Sequence, residues 1–316
     1  MADKATHWAE IEDFGIVWGM KLLVLVHRYL GRWLLPIFLY PTVAYYFIAN
    51  RLARDSSMDY LTRLARNAPD IGLEPNRWTS FRHFLSFAHS MLDRVSAWSG
   101  VITHDNIEFP NRESVERYVL GGRGVMMITA HLGCLEVCRA LASQRDDIKL
   151  NLLVHTKNAQ RINQLLEPLN LQHQLELIEV TEVNPGTAIV LAEKIDRGEV
   201  VVVVGDRVPV NSGKNTVEAS FLGAPAQFAQ GPWVLAHVLR CRVMTLFCLR
   251  HEGRYHMYVE PLAEQVKLPR RTRDEAVAGY VAQYVERLEQ YCRLAPLQWF
   301  NFYPYWTTTT DAPKAT

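Results

Sequence analysis

From residue 124 onward the apolar positions gather into short runs rich in β-branched residues: "GVMMITA", "LNLLVH", "LELIEV", "EVVVVVG", "RVMTLFCLR" and "RYHMYVEPL". Each has the length and composition of a strand. Between the earlier ones lie "LEVCRALASQ", "NAQRINQLLEPLN" and "GTAIVLAEKIDRG", whose apolar residues recur at helical spacing. Strands alternating with helices predict an α/β fold with a largely parallel, mixed sheet flanked by helices. Ahead of the sheet, "MDYLTRLARNA" and "NRWTSFRHFLSFAHSMLDRVSAW" read as amphipathic helices, and "RDEAVAGYVAQYVERLEQYCR" as a long closing helix. The chain then runs through the aromatic segment "PLQWFNFYPYW" to a polar tail.

The N-terminal pattern is different. No acidic residue lies between Asp13 and Asp55, while Lys21, Arg28, Arg32, Arg51 and Arg54 surround the apolar run from Trp33 to Ala49. That run is at the short limit for a spanning helix, and Pro36 and Pro41 fall inside it,. Arginines at both ends give no orientation under the positive-inside rule, whereas a bent hairpin dipping into one leaflet sets every arginine on one anionic face. A hairpin is the favoured expectation; a single span and a buried helical pair of the core are the alternatives. The resulting division is a helical membrane-associating segment over 1–56, an α/β domain over 57–306 and a tail over 307–316.

Composition limits the function. At 316 residues, 49 % apolar and 21 % charged, the chain has an ample core,. A net charge of +1 supplies no global field for nucleic acid, and no motif that reads nucleic acid is present,. Five cysteines without a Cys-x-x-Cys pair fit a reducing compartment better than a disulfide framework,.

The candidate chemistry sits in "MMITAHLGCLE", residues 126–136. His131 falls between a strand and a helix, at the strand's carboxyl end, where open α/β sheets place their ligands. Glu136, early in the helix, is spaced to turn back toward the imidazole, fix its tautomer and raise the basicity of the other nitrogen. Gly133 permits close backbone approach to a reacting group, and N–H groups at the helix start are candidates to stabilise an oxyanion. Together these support acyl transfer from a thioester, His131 taking the proton of an acceptor hydroxyl. A capping or core histidine is the plainer alternative. Cys134 and Cys138, one helical turn apart beside His131, make a zinc hydrolase a further one, although no second Cys/His pair with zinc spacing exists,.

Asp206 and Arg207 end the apolar strand "EVVVVVG" at the same sheet edge, as candidates to line the site or to brace the loop up to Gly213,. Arg161 is a candidate for binding a phosphate of lipid or carrier, or a residue of a solvated helix face. His155, His173, His237, His251 and His256 carry no partner signature and read as structural or surface residues. Phe81, Phe84, Phe87, Met91 and Trp98 recur at helical spacing, either as core or, with the aromatic end, as the lining of an acyl slot,.

His131 to Glu136 matches the H-x4-D/E signature of the lysophospholipid acyltransferase superfamily, and the chain resembles its lipid A late-acyltransferase branch. Further likenesses are a strand ending in Asp206, a phenylalanine-x-glycine turn at Phe221 and Gly223, a helix led by Gly231, and a glutamine-tryptophan pair at Gln298 and Trp299. The resemblance implies a membrane-associated O-acyltransferase on the cytoplasmic face of the bacterial inner membrane. It implies an acyl carrier protein or acyl-CoA donor, a lipid acceptor, the membrane surface as partner, and no cofactor or metal. A non-catalytic lipid-binding scaffold on the same fold is the alternative. Leu132, Cys134, Leu135 and Arg207 depart from the branch's usual residues. The aromatic ending is similar to acyltransferases of aryl-polyene and related pathways, which extends the expected cargo to polyene chains.

Overall fold

The computed structural model describes residues 35–98, 107–119, 121–142, 148–154, 175–179, 185–208 and 215–306. Among these, seven strands form one mixed sheet: β1 (Ile107–Glu108), β2 (Val125–Thr129), β3 (Leu150–Val154), β4 (Leu175–Glu179), β5 (Val200–Val204), β8 (Arg242–His251) and β9 (Arg254–Ala263). Two more, β6 (Thr216–Phe221) and β7 (Ala224–Ala229), make a separate antiparallel hairpin. The order across the sheet is β1-β9-β8-β2-β5-β3-β4. All neighbours are parallel except β8 and β9. The six strands expected from the apolar runs are therefore present; β1 and the β6–β7 hairpin were not anticipated.

The central strands are buried on both sides, which is why they read as unbroken apolar runs,. Their side chains nonetheless divide by the two-residue period of a strand. Met126, Ile128, Val201, Val203, Val243 and Phe247 join one core cluster, and Val125, Met127, Val200, Val202, Met244 and Leu246 the other. The first is covered chiefly by α2 (Arg51–Asn67), α6 (Pro185–Asp196), α7 (Gly231–Leu239) and α8 (Arg273–Leu294). The second is covered by α4 (Arg112–Val119) and α5 (Leu135–Ala142).

At the N-terminal side α1 (Leu35–Ala49) and α2 pack against α3 (Arg77–Trp98). Leu39 and Val43 of α1 are buried with Phe84 and Leu85 of α3, and Phe47 meets Phe81 and Phe84 edge-on at 5.5 and 5.2 Å. Asn50 separates the two helices and caps the second, its side-chain oxygen accepting from the Ala53 N–H at 3.0 Å,. Among the described residues no helix is long and apolar enough to cross a membrane. Residues 1–34, with Lys21, Arg28 and Arg32, lie outside the described residues. Arg51 pairs with Asp55, and Arg54 donates to the carbonyls of Phe47 and Ile48, closing the end of α1.

A buried polar chain joins these helices to the chain's aromatic end. The His83 Nε2–H donates to the Trp299 carbonyl at 2.9 Å, so Nδ1 accepts from the Ser57 hydroxyl at 3.0 Å, and Ser57 in turn accepts from Ser80 at 2.9 Å,. Burial lowers the pKa of His83 to about 4, against the opposing pull of the Trp299 carbonyl. Its neutral form is built into the fold. Between pH 6.5 and 4 the unfolded chain binds a proton that the folded chain refuses, so stability falls as pH falls through that window. The loss approaches about 3 kcal/mol below pH 4. Urea denaturation from pH 8 to 4 is expected to show this slope, and His83→Gln to flatten it.

Candidate active site

The parallel register of the two central strands sets the geometry. β2 and β5 pair Met126 with Val201 through to Thr129 with Val204. Carried two residues past the strand ends, the same register brings His131 opposite Asp206. Gly205 is required on the way: its N–H donates to the Thr129 carbonyl at 2.8 Å, and a Cβ there would come within 2.7 Å of Ile128 and 3.1 Å of the Tyr284 ring. Tyr284, from α8, uses that space to donate to the same carbonyl at 2.9 Å.

The Asp206 side chain is wholly buried. Its Oδ1 accepts from His131 Nδ1 at 2.9 Å. Its Oδ2 accepts from the His131 backbone N–H at 3.0 Å, Trp299 Nε1 at 2.9 Å and Asn301 Nδ2 at 2.9 Å. Burial alone would raise its pKa. The charge and hydrogen bond of His131, the Arg207 guanidinium and the Asn301 amide outweigh burial and hold it at about 2. A carboxylate ionised at every working pH thus faces one imidazole nitrogen, which makes Nδ1 the protonated one and Nε2 the basic one. The His131 side chain remains 32 % exposed, so the pair has a buried end and an open end.

The partner expected for Nδ1 was Glu136. The structure gives that bond to Asp206, 75 residues further along the chain. Glu136 stands in the first turn of α5, with Oε2 3.9 Å from the Cys134 thiol. Gly133 also differs in its reason. Its φ of +75° and its position against Cys248, whose carbonyl oxygen a Cβ would meet at 1.9 Å, make glycine obligatory there,. The close approach is to the neighbouring strand β8, and the N–H groups of Gly133 and Cys134 donate to the carbonyls of Gln298 and Cys248 at 2.9 and 2.8 Å. Neither is open to an oxyanion.

The aromatic segment after α8 closes over the site as a strap. Phe300 N–H donates to the His131 carbonyl at 2.7 Å, and the Tyr305 hydroxyl to the Asp206 carbonyl at 2.9 Å. Arg207 holds the strap from below, Nε donating to Asn301 Oδ1 at 2.7 Å and Nη2 to the Phe300 carbonyl at 3.1 Å. The β6–β7 turn supports it too, Trp306 stacking on Phe221 at 5.5 Å and donating to its carbonyl at 3.1 Å. Phe84 and Phe87 of α3 pack on Phe300 and Phe302 at 4.6 to 5.6 Å, as core for the strap. The Trp98 side chain and Arg161, His155 and His173 lie outside what is described. Sequence reasoning missed Asn301 as a donor to Asp206 and His83 beneath Trp299; "QWFN" offered only a composition signal.

One cavity borders the turn after β2, and another lies under α4, lined by neither His131 nor Asp206. A cleft of about 590 Å³ runs between α3 and the strap and reaches Gly133 and Cys134. A second cavity, about 310 Å³ and largely apolar, opens between the sheet and α4, with Met127, Cys138, Val200 and Leu246 in its wall. Among the described residues no three His, Cys, Asp or Glu side chains are arranged to hold a metal ion, and Cys134 and Cys138 are buried thiols.

Fold and site define an α/β protein with a histidine–carboxylate pair at the carboxyl edge of a parallel sheet, a geometry suited to proton abstraction by His131. Residues 79–308 match the model of the bacterial lipid A biosynthesis acyltransferase family, and the chain belongs to that family. The match spans the site and the strap, and supports an acyltransferase activity in general, with an acyl donor and a lipid acceptor. No curated protein matches the chain.

The buried carboxylate gives a direct expectation for stability. Asn301→Leu removes one donor to an ionised, desolvated oxygen and is expected to cost about 1.5–3 kcal/mol. Urea midpoints measure it; an unchanged midpoint would mean that Asp206 does not depend on the strap.

Proposed function

We propose that the protein is a membrane-associated O-acyltransferase. In this reading it moves a fatty or polyene acyl chain from an acyl carrier protein or CoA thioester to the hydroxyl of a lipid-like acceptor. The observation that carries the reading is the His131–Asp206 pair in a member of an acyltransferase family.

Asp206 fixes the tautomer, and His131 Nε2 takes the proton of the acceptor hydroxyl as its oxygen attacks the thioester carbonyl. The tetrahedral intermediate then collapses, the C–S bond breaks, and the thiolate leaves with the proton returned by His131. No covalent acyl-enzyme is needed. Glu136 sits close enough in sequence to shape the field of the site, but the orienting role belongs to Asp206.

In this reading the acyl chain occupies the apolar cavity under α4, whose wall includes Met127 of β2, four residues before His131. Membrane association is supported by exposed Tyr40, Tyr45, Tyr46, Ile48, Leu52 and Trp78 on the N-terminal helices, a concentration of aromatic and aliphatic area suited to a lipid interface,. In this reading those helices lie at the cytoplasmic face of the bacterial inner membrane, where thioester donors are available.

Transfer assays on purified protein test the centre. His131→Ala is expected to abolish transfer, and Asp206→Asn to lower kcat by about 10²–10⁴. Glu136→Ala is expected to cost no more than about tenfold. A loss at Glu136 as large as that at Asp206 would return the orienting role to the helix.

Donor preference tests the slot. Val200→Phe, which fills the cavity beneath α4, is expected to favour shorter acyl chains severalfold per carbon, since each excluded methylene is worth about 0.8 kcal/mol. A uniform loss across all chain lengths would place the chain elsewhere.

A further inference from the structure

The 590 Å³ cleft carries charge that the acyl-transfer step does not use. Arg82 and His89, on α3, line it and make no hydrogen bond or ion pair with any described residue. Arg250, at the end of β8, faces them across the cleft. Its Nη1 lies 3.7 Å from Asp93 Oδ2, a loose contact, and its side chain is 47 % exposed. Its backbone, by contrast, is clamped. The Gln298 side chain accepts from the Arg250 N–H at 2.9 Å and donates to its carbonyl at 2.7 Å.

Asp93, the only acidic side chain in the lining among the described residues, is shared between Arg250 and the Tyr255 hydroxyl. Two guanidinium groups and an imidazole therefore face one carboxylate that is already engaged, which leaves the cleft cationic. Guanidinium forks match the oxygens of a phosphate and bind them with charge-assisted hydrogen bonds. The inner end of the cleft is formed by Gly133 and Cys134, two and three residues from His131. Its outer end is formed by exposed Tyr40 and Trp78. A ligand held by the arginines would thus lie between the outer aromatic rim and the reacting centre.

We propose that Arg82 and Arg250, with His89, form a binding site for a phosphate group carried by one of the two substrates. The phosphate is either that of the phosphopantetheine arm of the donor or that of a phospholipid-type headgroup on the acceptor. The inference takes these two carriers from the acyl-transfer reading, but the site itself is read by binding, so either can fail without the other.

The test is 31P NMR with two soluble probes, pantetheine 4′-phosphate for the donor arm and glycerophosphoglycerol for the headgroup. The parent protein and His131→Ala are expected to bind at least one probe alike. The Arg82→Ala/Arg250→Ala pair is expected to bind it at least tenfold more weakly, and Arg82→Lys/Arg250→Lys to recover part of that loss. Preference for the first probe assigns the site to the donor; preference for the second assigns it to the acceptor. Failure of the parent to bind either probe, or equal binding by the double alanine variant, overturns the proposal. Loss of binding that the double lysine variant does not relieve, with its urea midpoint lowered as far as that of the alanine variant, also overturns it, because the arginines would then be structural.

Discussion

The structure depends on one buried negative charge. Asp206 lies at the end of the apolar strand β5 without solvent, and an ion so placed is tolerated only when its oxygens are fully hydrogen-bonded,. Four donors satisfy it, two from His131 and one each from Trp299 and Asn301. The same constraint that makes the charge tolerable therefore makes the histidine rigid and the strap obligatory. Membership of the bacterial lipid A biosynthesis acyltransferase family supports an acyltransferase activity in general, and the carboxylate explains how this chain holds His131 in one orientation.

Rigidity at His131 also comes from its backbone. The turn after β2 is hydrogen-bonded to the strap on one side and to β8 on the other, through Phe300, Gln298 and Cys248. It behaves as a continuation of the sheet. Such a support holds the imidazole in one place. The neutral His83 beneath Trp299 extends this support to α2 and α3.

The sheet was legible in the sequence because burial on both faces leaves unbroken apolar runs, and His131 and Asp206 were legible as strand ends. Their partnership was not. Local spacing favours Glu136, five residues from His131, whereas Asp206 is 75 residues away and becomes a neighbour only through the register of β2 on β5. Likewise "WFNFYPYW" showed aromatic area in need of cover, but composition does not distinguish the wall of a slot from a strap packed on α3. Asn301 and His83 belong to no motif, and their roles exist only in contacts across 95 and 216 residues. Gly133 was read as approaching a reacting group, whereas its close neighbour in the fold is Cys248 of β8.

The distance along the chain between Asp206 and its last donors has a consequence for how the protein is made. A ribosome delivers β2 and β5 long before residues 299 and 301, so the nascent sheet holds a carboxylate whose Oδ2 has a single donor. Until the strap arrives, water must serve that oxygen, and the carboxyl edge of the sheet stays wet and unclosed. Closing of the sheet edge and arrival of the strap are thus one event. The bond from His131 to Asp206 Oδ1 needs no residue of the strap, but the other carboxylate oxygen is shielded from water only once residues 299 and 301 have been made, so the end of the chain seals what its middle began.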